Sequence, residues 1–283
     1  MINGGWLSPH ILWGIIAEDW MSEQICGIST DEIRKNLINP DDFKIEVFKT
    51  IDSTNTYVGK KGSEGEQEGF LAVAEEQSNG RGRRGRTFYS PQNSGIYFSL
   101  LLKPNQKPER AMMITVMAAV AVCEALKQLT GTKPEIKWVN DIYIKARKVC
   151  GILTEASLLE NTGTLHYCVL GIGINLFCPK EGFPDEIRQV AGYVTDEFSD
   201  IRAKVVAETM NAFYRLYQGF HVTEAVEKYR SFSFMVGRRV TVLGNELMKE
   251  AQVLEIDDNC GLVVRYDDGM TETLSSGEVS IKL

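Results

Sequence analysis

The feature that most constrains this chain is a short basic segment, residues 79–86, enclosed by two apolar runs. It reads Asn-Gly-Arg-Gly-Arg-Arg-Gly-Arg, so eight residues hold four arginines and three glycines. The runs 70–74 and 96–102 on either side have strand composition. Glycine lets the backbone approach a ligand closely, and arginine offers planar donors that match carboxylate and phosphate oxygens. The pattern predicts a loop between two strands that closes over an anionic ligand.

Segments of this kind also occur in nucleic-acid-binding patches and localisation signals. Here the segment occurs once, between predicted core strands, in a chain with a formal net charge of −7 and an isoelectric point near 5.2. Because general polyanion binders carry broad basic surfaces, the ligand loop is the favoured interpretation. A nucleic-acid-binding module is the distant alternative.

The cysteines and histidines argue against a metal cluster or a disulfide framework. The six cysteines form no Cys-x-x-Cys pair, and His10, His166 and His221 are scattered. This usage suits reduced, buried thiols. No stretch reaches the roughly 18 apolar residues of a membrane span, so a cytoplasmic location is expected.

The order of helix and strand signals divides the chain. Residues 1–40 are predicted to be an N-terminal extension that is partly disordered, and we hypothesise that Met21 is the functional start. Residues 41–234 mix strand and helix patterns. Residues 235–283 hold short alternating runs between glycines, which predict a small all-β barrel.

Several elements can be placed in more detail. Helix starts are predicted at 29–33 and 53–55, strands at 43–48, 136–144 (with a polar interruption), 148–155 and 167–176, and helices at about 200–219 and 223–231. Residues 111–122 are apolar on every side, which predicts a buried helix. Gly171 and Gly173 interrupt an apolar strand, where glycine usually marks a bulge or a close approach.

Five motifs, taken in order, resemble the biotin protein ligase family. They are Asp-Ser-Thr-Asn at 52–55, Glu-x-Gln-x-x-Gly-Arg-Gly-Arg-x-Gly-Arg at 75–86, Lys-Trp-x-Asn-Asp at 137–141, Arg-Lys-x-x-Gly-Ile-Leu at 147–153 and Gly-x-Gly-x-Asn at 171–175. The resemblance covers roughly residues 43–283, including the run at 276–280. All five motifs together are far more specific than any one of them.

The resemblance implies an α+β fold: a mixed β-sheet with helices, like the catalytic domain of class II aminoacyl-tRNA synthetases, followed by a small SH3-like β-barrel. The implied domains are a catalytic ligase domain at 41–234 and the barrel at 235–283. Two departures stand out. Val139 replaces a proline found in many members, which is expected to alter the strand entry and not the chemistry. No recognition helix is evident in the first 40 residues, so a ligase without repressor function is expected.

The implied reaction has two steps: ATP-dependent adenylation of biotin to biotinyl-5′-AMP, then transfer to a lysine of a biotin carboxyl carrier domain. The resemblance makes Lys148, Arg83 and Asp141 the candidate catalytic residues. Taken alone, the position of Lys148 favours a solvated lysine at a strand end, and Asp141 is equally part of an Asn-Asp turn. Asp141 would orient or deprotonate the incoming carrier lysine.

The remaining candidates also follow from the resemblance. Biotin binding is assigned to Ser53, Thr54, Asn55, Gln77, Gly80, Arg81, Gly82, Arg83, Trp138, Lys148, Gly151 and Gly171. ATP binding is assigned to Arg81, Arg83, Arg86, Asn140, Lys148 and Asn175. Two plainer interpretations stay open: residues 53–55 as an ordinary helix cap, and Trp138 as an ordinary core residue.

The implied co-substrate is ATP with Mg²⁺, and no dedicated protein metal site is expected because Mg²⁺ is often bound largely through substrate phosphates. The implied partner is a biotin carboxyl carrier protein or domain, without DNA or membrane. The pattern is compatible with a homodimer and does not demand one. Lipoate–protein ligase is the nearest enzyme alternative, although it would be expected to carry a Gly-Gly-Gly loop in place of the arginine loop.

Overall fold

The structure is a computed structural model that describes residues 27–104, 111–158, 165–197, 200–243, 248–275 and 278–281. The predictions for residues 1–20 and for Met21 lie outside these ranges. So does part of the 276–280 run.

The larger sheet has seven strands and forms the centre of the molecule. Its strands are β1 Lys44–Phe48, β2 Phe70–Ala74, β3 Gly95–Leu102, β4 Glu135–Lys137, β5 Asp141–Ile144, β6 Arg147–Leu158 and β7 Leu165–Asn175. Their order is β1-β2-β3-β7-β6-β5-β4. Only β1 and β2 pair in parallel, so the sheet is mixed. Every residue of β2 and β3 is buried, as expected from their nearly continuous apolar sequences.

Five α-helices accompany this sheet in the described ranges. They are α1 Thr30–Asn36, α2 Thr54–Ser63, α3 Ala111–Thr130, α4 Arg202–Tyr217 and α5 Val222–Phe232. Ser29 caps α1 through a capping box with Glu32. Ser53 caps α2 by accepting a hydrogen bond from the Thr56 N–H group. Both predicted helix starts are therefore confirmed.

Helix α3 is the central core helix. Its length and composition would suffice to cross a membrane, but 72% of its most apolar 18-residue window is buried inside the protein. Thirteen of its twenty residues are buried, which includes every position from Met113 to Cys123. The helix therefore belongs to the protein core, as its all-round apolar pattern predicts.

A separate five-stranded antiparallel sheet follows. Its strands are β8 Arg239–Leu243, β9 Met248–Ile256, β10 Leu262–Tyr266, β11 Thr271–Leu274 and β12 Glu278–Ser280, in the order β11-β10-β9-β8-β12. A hydrogen bond joins the turn between β4 and β5 to the turn between β9 and β10, because Trp138 Nε1 donates to the Cys260 carbonyl at 2.8 Å. The α+β class, with a mixed sheet followed by a small β-sheet, is confirmed.

Candidate active site

One cavity brings together side chains from all five motifs. It is lined by Ser53, Thr54, Asn55, Gln77, Arg81, Gly82, Arg83, Arg86, Trp138, Asn140, Asp141, Lys148, Gly151, Gly171 and Asn175, among others. These are all of the candidate site residues except Gly80. They come from segments up to about 120 residues apart in the chain, so the sheet assembles the cavity.

The arginine loop forms a tight hairpin between β2 and β3. The Phe88 N–H group donates to the Gly80 carbonyl at 2.9 Å, and the Gly82 N–H group donates to the Arg86 carbonyl at 2.7 Å. A Cβ atom on Gly80 would lie 2.4 Å from the Phe88 carbonyl oxygen. Gly80 thus permits close contact between the two sides of the hairpin and does not line the cavity. Closure of this loop over an anionic ligand stays a prediction.

Two arginines of the loop are held by groups from the sheet. An Arg83 guanidinium nitrogen donates to Asn140 Oδ1 at 2.8 Å. Arg81 pairs with Glu155 Oε1 on β6 at 2.8 Å. Asn140 is itself fixed, because its Nδ2 donates to the Ile152 carbonyl at 2.9 Å. The loop is therefore positioned over the cavity by β6 and by the turn between β4 and β5.

A chain of polar contacts runs from the start of α2 to the loop. The Thr54 N–H group donates to Gln77 Oε1 at 2.9 Å, and Gln77 Nε2 donates to Ser90 Oγ at 3.0 Å. Thr54 Oγ1 also lies 3.1 Å from Gln77 Oε1. Thr54 and Asn55 are only 3% and 6% exposed. Residues 53–55 thus cap a helix and also place polar groups against the cavity.

The same chain continues through β3 to β6. Ser99, which is fully buried, has its Oγ 2.7 Å from both Thr54 Oγ1 and Asn55 Oδ1. Asn55 Nδ2 donates to Glu155 Oε2 at 3.0 Å. Because Arg81 pairs with the other carboxylate oxygen of Glu155, the chain joins the start of α2 to the arginine loop.

Three glycines leave space for the side chains of Asn55 and Phe88. A Cβ atom on Gly171 would lie 1.8 Å from Asn55 Oδ1. A Cβ atom on Gly173 or Gly151 would lie 2.6 Å or 3.0 Å from the Phe88 ring. The close approaches predicted from the glycines of β7 are confirmed.

Lys148 and Asp141 form an ion pair within the cavity. Lys148 Nζ lies 2.7 Å from Asp141 Oδ1, and the two side chains are 28% and 20% exposed. They lie on the neighbouring antiparallel strands β5 and β6. Lys148 is therefore partly buried beside the arginine loop, unlike the solvated strand-end lysine of the plainer interpretation.

Trp138 is buried and joins the cavity to the smaller sheet. It is 4% exposed, and its indole nitrogen is bonded to the Cys260 carbonyl. The Tyr229 hydroxyl donates to the Val139 carbonyl at 3.1 Å, and the peptide bond between Trp138 and Val139 is cis. Trp138 is thus both a core residue and a wall of the cavity.

Asn175 supports the segment that borders the cavity beyond β7. Its Nδ2 donates to the Gly192 carbonyl at 3.1 Å, and its own carbonyl accepts from the Val194 N–H group at 3.0 Å. The same segment pairs with the start of β6, because the Lys148 N–H group donates to the Val190 carbonyl. A contact of Asn175 with ATP stays a prediction.

Comparison with known proteins agrees with this site. Residues 47–175 match the family model of the "Biotin/lipoate A/B protein ligase family", and residues 236–282 match the "Biotin protein ligase C terminal domain". The chain belongs to the biotin protein ligase family. The first match contains all five motifs, and the second covers the smaller sheet.

Individual relatives of the family extend over most of the chain. The "Bifunctional ligase/repressor BirA" of Bacillus spizizenii is 29% identical over 260 residues, covering 90% of this chain and 77% of that protein. The "Biotin--[acetyl-CoA-carboxylase] ligase" of Mycobacterium tuberculosis is 27% identical, covering 83% and 88%. The solved biotin protein ligase of Aquifex aeolicus, in complex with biotin and ATP, has a TM-score of 0.70 at 27% identity and covers 84% and 98%.

Sequence reasoning missed several members of the site. Phe88 packs above two of the glycines, Ser99 and Glu155 complete the polar chain, and Val279 reaches the cavity from the smaller sheet. Phe88 is the second residue after the arginine loop, so its position was a usable signal. Glu155 and Ser99 carry no local signal, because their partners are about 45 to 100 residues away in the chain.

Proposed function

We propose that this chain is a biotin–[biotin carboxyl-carrier protein] ligase that adenylates biotin with ATP and transfers the biotinyl group to a carrier lysine. The observation that carries the proposal is the single cavity in which the arginine loop, Lys148 and the polar chain of α2 come together. One half of the cavity, formed by the arginine loop and Lys148, can bind anions; we call it the anion-binding half. The other, formed by the polar chain at the start of α2, is the hydrogen-bonding half. A substrate that has both a carboxylate and a polar ring requires the two side by side.

In the first step, an oxygen of the biotin carboxylate attacks the α-phosphorus of ATP. The bond to the bridging oxygen breaks, and pyrophosphate leaves with the negative charge. Two anions must be brought together, and charge grows on the α-phosphate. We assign this work to Lys148, whose ammonium lies in the cavity, and to Arg81, Arg83 and Arg86 of the loop.

In the second step, the amine of the carrier lysine attacks the carbonyl carbon of the mixed anhydride, and AMP leaves. The amine must be neutral to attack and loses a proton as the amide forms. Asp141 is the group that we assign to orient the lysine and accept this proton, since its carboxylate lies in the cavity at 2.7 Å from Lys148.

The polar chain suits the ureido ring of biotin. Thr54, Asn55 and Gln77 are buried or half-buried, and their orientations are fixed by hydrogen bonds. Such preorganised groups bind a polar ring without paying to order themselves first. Trp138 and Phe88 supply the apolar walls for the rest of the ligand.

The wider setting of the reaction is part of the proposal. Mg²⁺ would enter with ATP and be held mainly through the substrate phosphates, with few protein ligands. The ion would neutralise phosphate charge. The acceptor would be a cytoplasmic carrier domain, and the enzyme would act as a monomer or homodimer.

Biotin is preferred over lipoate because of the C-terminal match. The first family model includes both biotin and lipoate ligases, whereas the second belongs to biotin protein ligases. A nucleic-acid-binding role would leave the hydrogen-bonded polar chain from Gln77 to Glu155 without a purpose.

The test is transfer of labelled biotin to a purified biotin carboxyl carrier domain in the presence of ATP and Mg²⁺. Label is expected on the single acceptor lysine. A carrier domain with that lysine replaced by arginine is the matched control and should stay unlabelled. Absence of ATP-dependent label on the intact carrier, when a known ligase labels it, would contradict the proposal.

A further inference from the structure

Glu155 is not among the residues assigned above to substrate or chemistry, yet its carboxylate joins the two halves of the cavity. Oε2 accepts a hydrogen bond from Asn55 Nδ2 at 3.0 Å, and Oε1 pairs with Arg81 at 2.8 Å. Asn55 belongs to the hydrogen-bonding half and Arg81 to the anion-binding loop. The side chains of Glu155 and Arg81 are 34% and 47% exposed, so their pairing is only partly shielded from water.

The carboxylate is the nearer of the two acceptors that determine which way the Asn55 amide faces, since Asn55 Nδ2 also donates to the Leu153 carbonyl at 3.4 Å. A carboxylate only accepts hydrogen bonds, so Nδ2 must face Glu155 and Oδ1 must face Ser99. The Ser99 hydroxyl has a single proton, and an amide oxygen only accepts. Ser99 is therefore the donor at this point of the chain: its hydroxyl donates to Asn55 Oδ1 and is directed to Thr54 Oγ1 as well, each at 2.7 Å.

The direction of the hydrogen bonds in the chain then determines which groups the Thr54 hydroxyl donates to and accepts from. The Thr54 hydroxyl accepts from Ser99 Oγ at 2.7 Å and donates to Gln77 Oε1 at 3.1 Å. The Thr54 proton is thus used on Gln77, so Thr54 can offer a ligand only its remaining lone pair. A ureido N–H group needs an acceptor of this kind.

We propose that Glu155 is a positioning residue that sets the hydrogen-bond polarity of the biotin-binding half and anchors the arginine loop through Arg81. The inference rests on the proposed function and adds a coupling between its two halves. Loss of the Glu155 charge has two separable effects: weaker recognition of biotin and a looser hold on the adenylate.

The experiment compares Glu155→Gln with the wild type in biotin-dependent pyrophosphate exchange and in release of preformed biotinyl-5′-AMP. The amide of glutamine can turn either its oxygen or its nitrogen towards Asn55, and it carries no charge for Arg81. The expected result is a roughly tenfold rise in the KM for biotin and a roughly tenfold faster release. The kcat of exchange should change by less than about twofold, because Lys148 is untouched.

Two further variants separate the effects. Ser99→Ala breaks the chain but keeps the pair between Arg81 and Glu155, so it should raise the KM and leave release unchanged. Arg81→Gln should speed release, and adding Glu155→Gln to it should speed release no further. Glu46→Gln is the matched control. Glu46 lies on β1 and its carboxylate also accepts a hydrogen bond, from the Tyr57 hydroxyl at 2.8 Å, but it does not line the cavity. This variant should behave as wild type.

Thermal denaturation identifies any variant that is not folded. If Glu155→Gln is not folded, Ser99→Ala and Arg81→Gln test the inference instead, through the KM for biotin and the rate of biotinyl-5′-AMP release. Values of KM and release within twofold of wild type in the folded variants would overturn the inference, provided that the wild type catalyses the exchange. A wild type that fails to exchange would instead overturn the proposed function, and the inference with it.

Discussion

Gly171 lies where the cavity has least room, and replacing it with alanine tests the assigned biotin pocket. The added Cβ atom would lie 1.8 Å from Asn55 Oδ1, 2.7 Å from its Cγ and 3.0 Å from its Nδ2. Ordinary contacts of a Cβ atom begin near 3.4 Å. The backbone of Gly171 cannot retreat easily, because β7 is paired with β3 on one side and with β6 on the other. The Asn55 amide must therefore rotate away.

Two consequences follow from this rotation. The hydrogen bonds of Asn55 to Ser99 and Glu155 are broken or bent, and overpacking of this kind costs about 1–3 kcal/mol of folding stability. Biotin also loses a positioned polar partner, which costs about 2 kcal/mol of binding free energy. That loss corresponds to a KM or dissociation constant for biotin roughly 30-fold higher.

The assay is pyrophosphate exchange at varied biotin, alongside urea denaturation of the same preparations. Gly59→Ala is the matched control: its Cβ atom would meet only Val169 Cγ2, at 3.9 Å, and it lies inside helix α2. That control should keep its KM and gain about 0.5–1 kcal/mol of stability. A Gly171→Ala enzyme with wild-type KM and wild-type stability would refute the steric reasoning.

Three further predictions address other residues. Lys148→Ala should slow biotin-dependent pyrophosphate exchange by about 10²–10³-fold, because the charge that develops on the α-phosphate loses its ammonium partner. Lys145→Ala, on the adjacent turn, should leave the rate unchanged. A normal rate in Lys148→Ala would show that another group stabilises this charge. Arg83→Gly should release biotinyl-5′-AMP and spread label to lysines outside the carrier site; mass spectrometry that finds label only on the carrier lysine would exclude this clamp. Exposed Cys178 should react with iodoacetamide far faster than Cys168. Burial raises the pKa of the Cys168 thiol to about 11, which leaves about 0.1% thiolate at pH 8. Equal reaction rates of the two cysteines in the folded protein would contradict the buried position of Cys168.

The sequence predicted the elements whose signals are local. The two helix starts depend on capping residues close to the helix, and the buried strands depend on continuous apolar runs. The glycines of β7 were expected to permit close approach, and Gly171 does so against Asn55. In each case the pattern and its physical cause lie within about ten residues.

The parts that were missed depend on pairing across the fold. Glu155 meets Asn55 only because β6 lies beside β7 and α2 starts at the same end of the cavity. Asn140 is bonded to Arg83, 57 positions away. The segment around Gly192 borders the cavity through backbone bonds to β6, which no side-chain pattern announces. Such contacts are set by strand order, and strand order is not readable from one local stretch.

Biotin-dependent exchange of labelled pyrophosphate into ATP, with lipoate as the parallel substrate, tests the central claim most directly. Exchange with biotin and none with lipoate is the predicted result, because the cavity is assigned to biotin and to its adenylate. Exchange with lipoate alone would keep the adenylation chemistry and contradict the substrate. Exchange with neither, in a folded preparation supplied with Mg²⁺, would contradict the assignment of the cavity as an adenylation site.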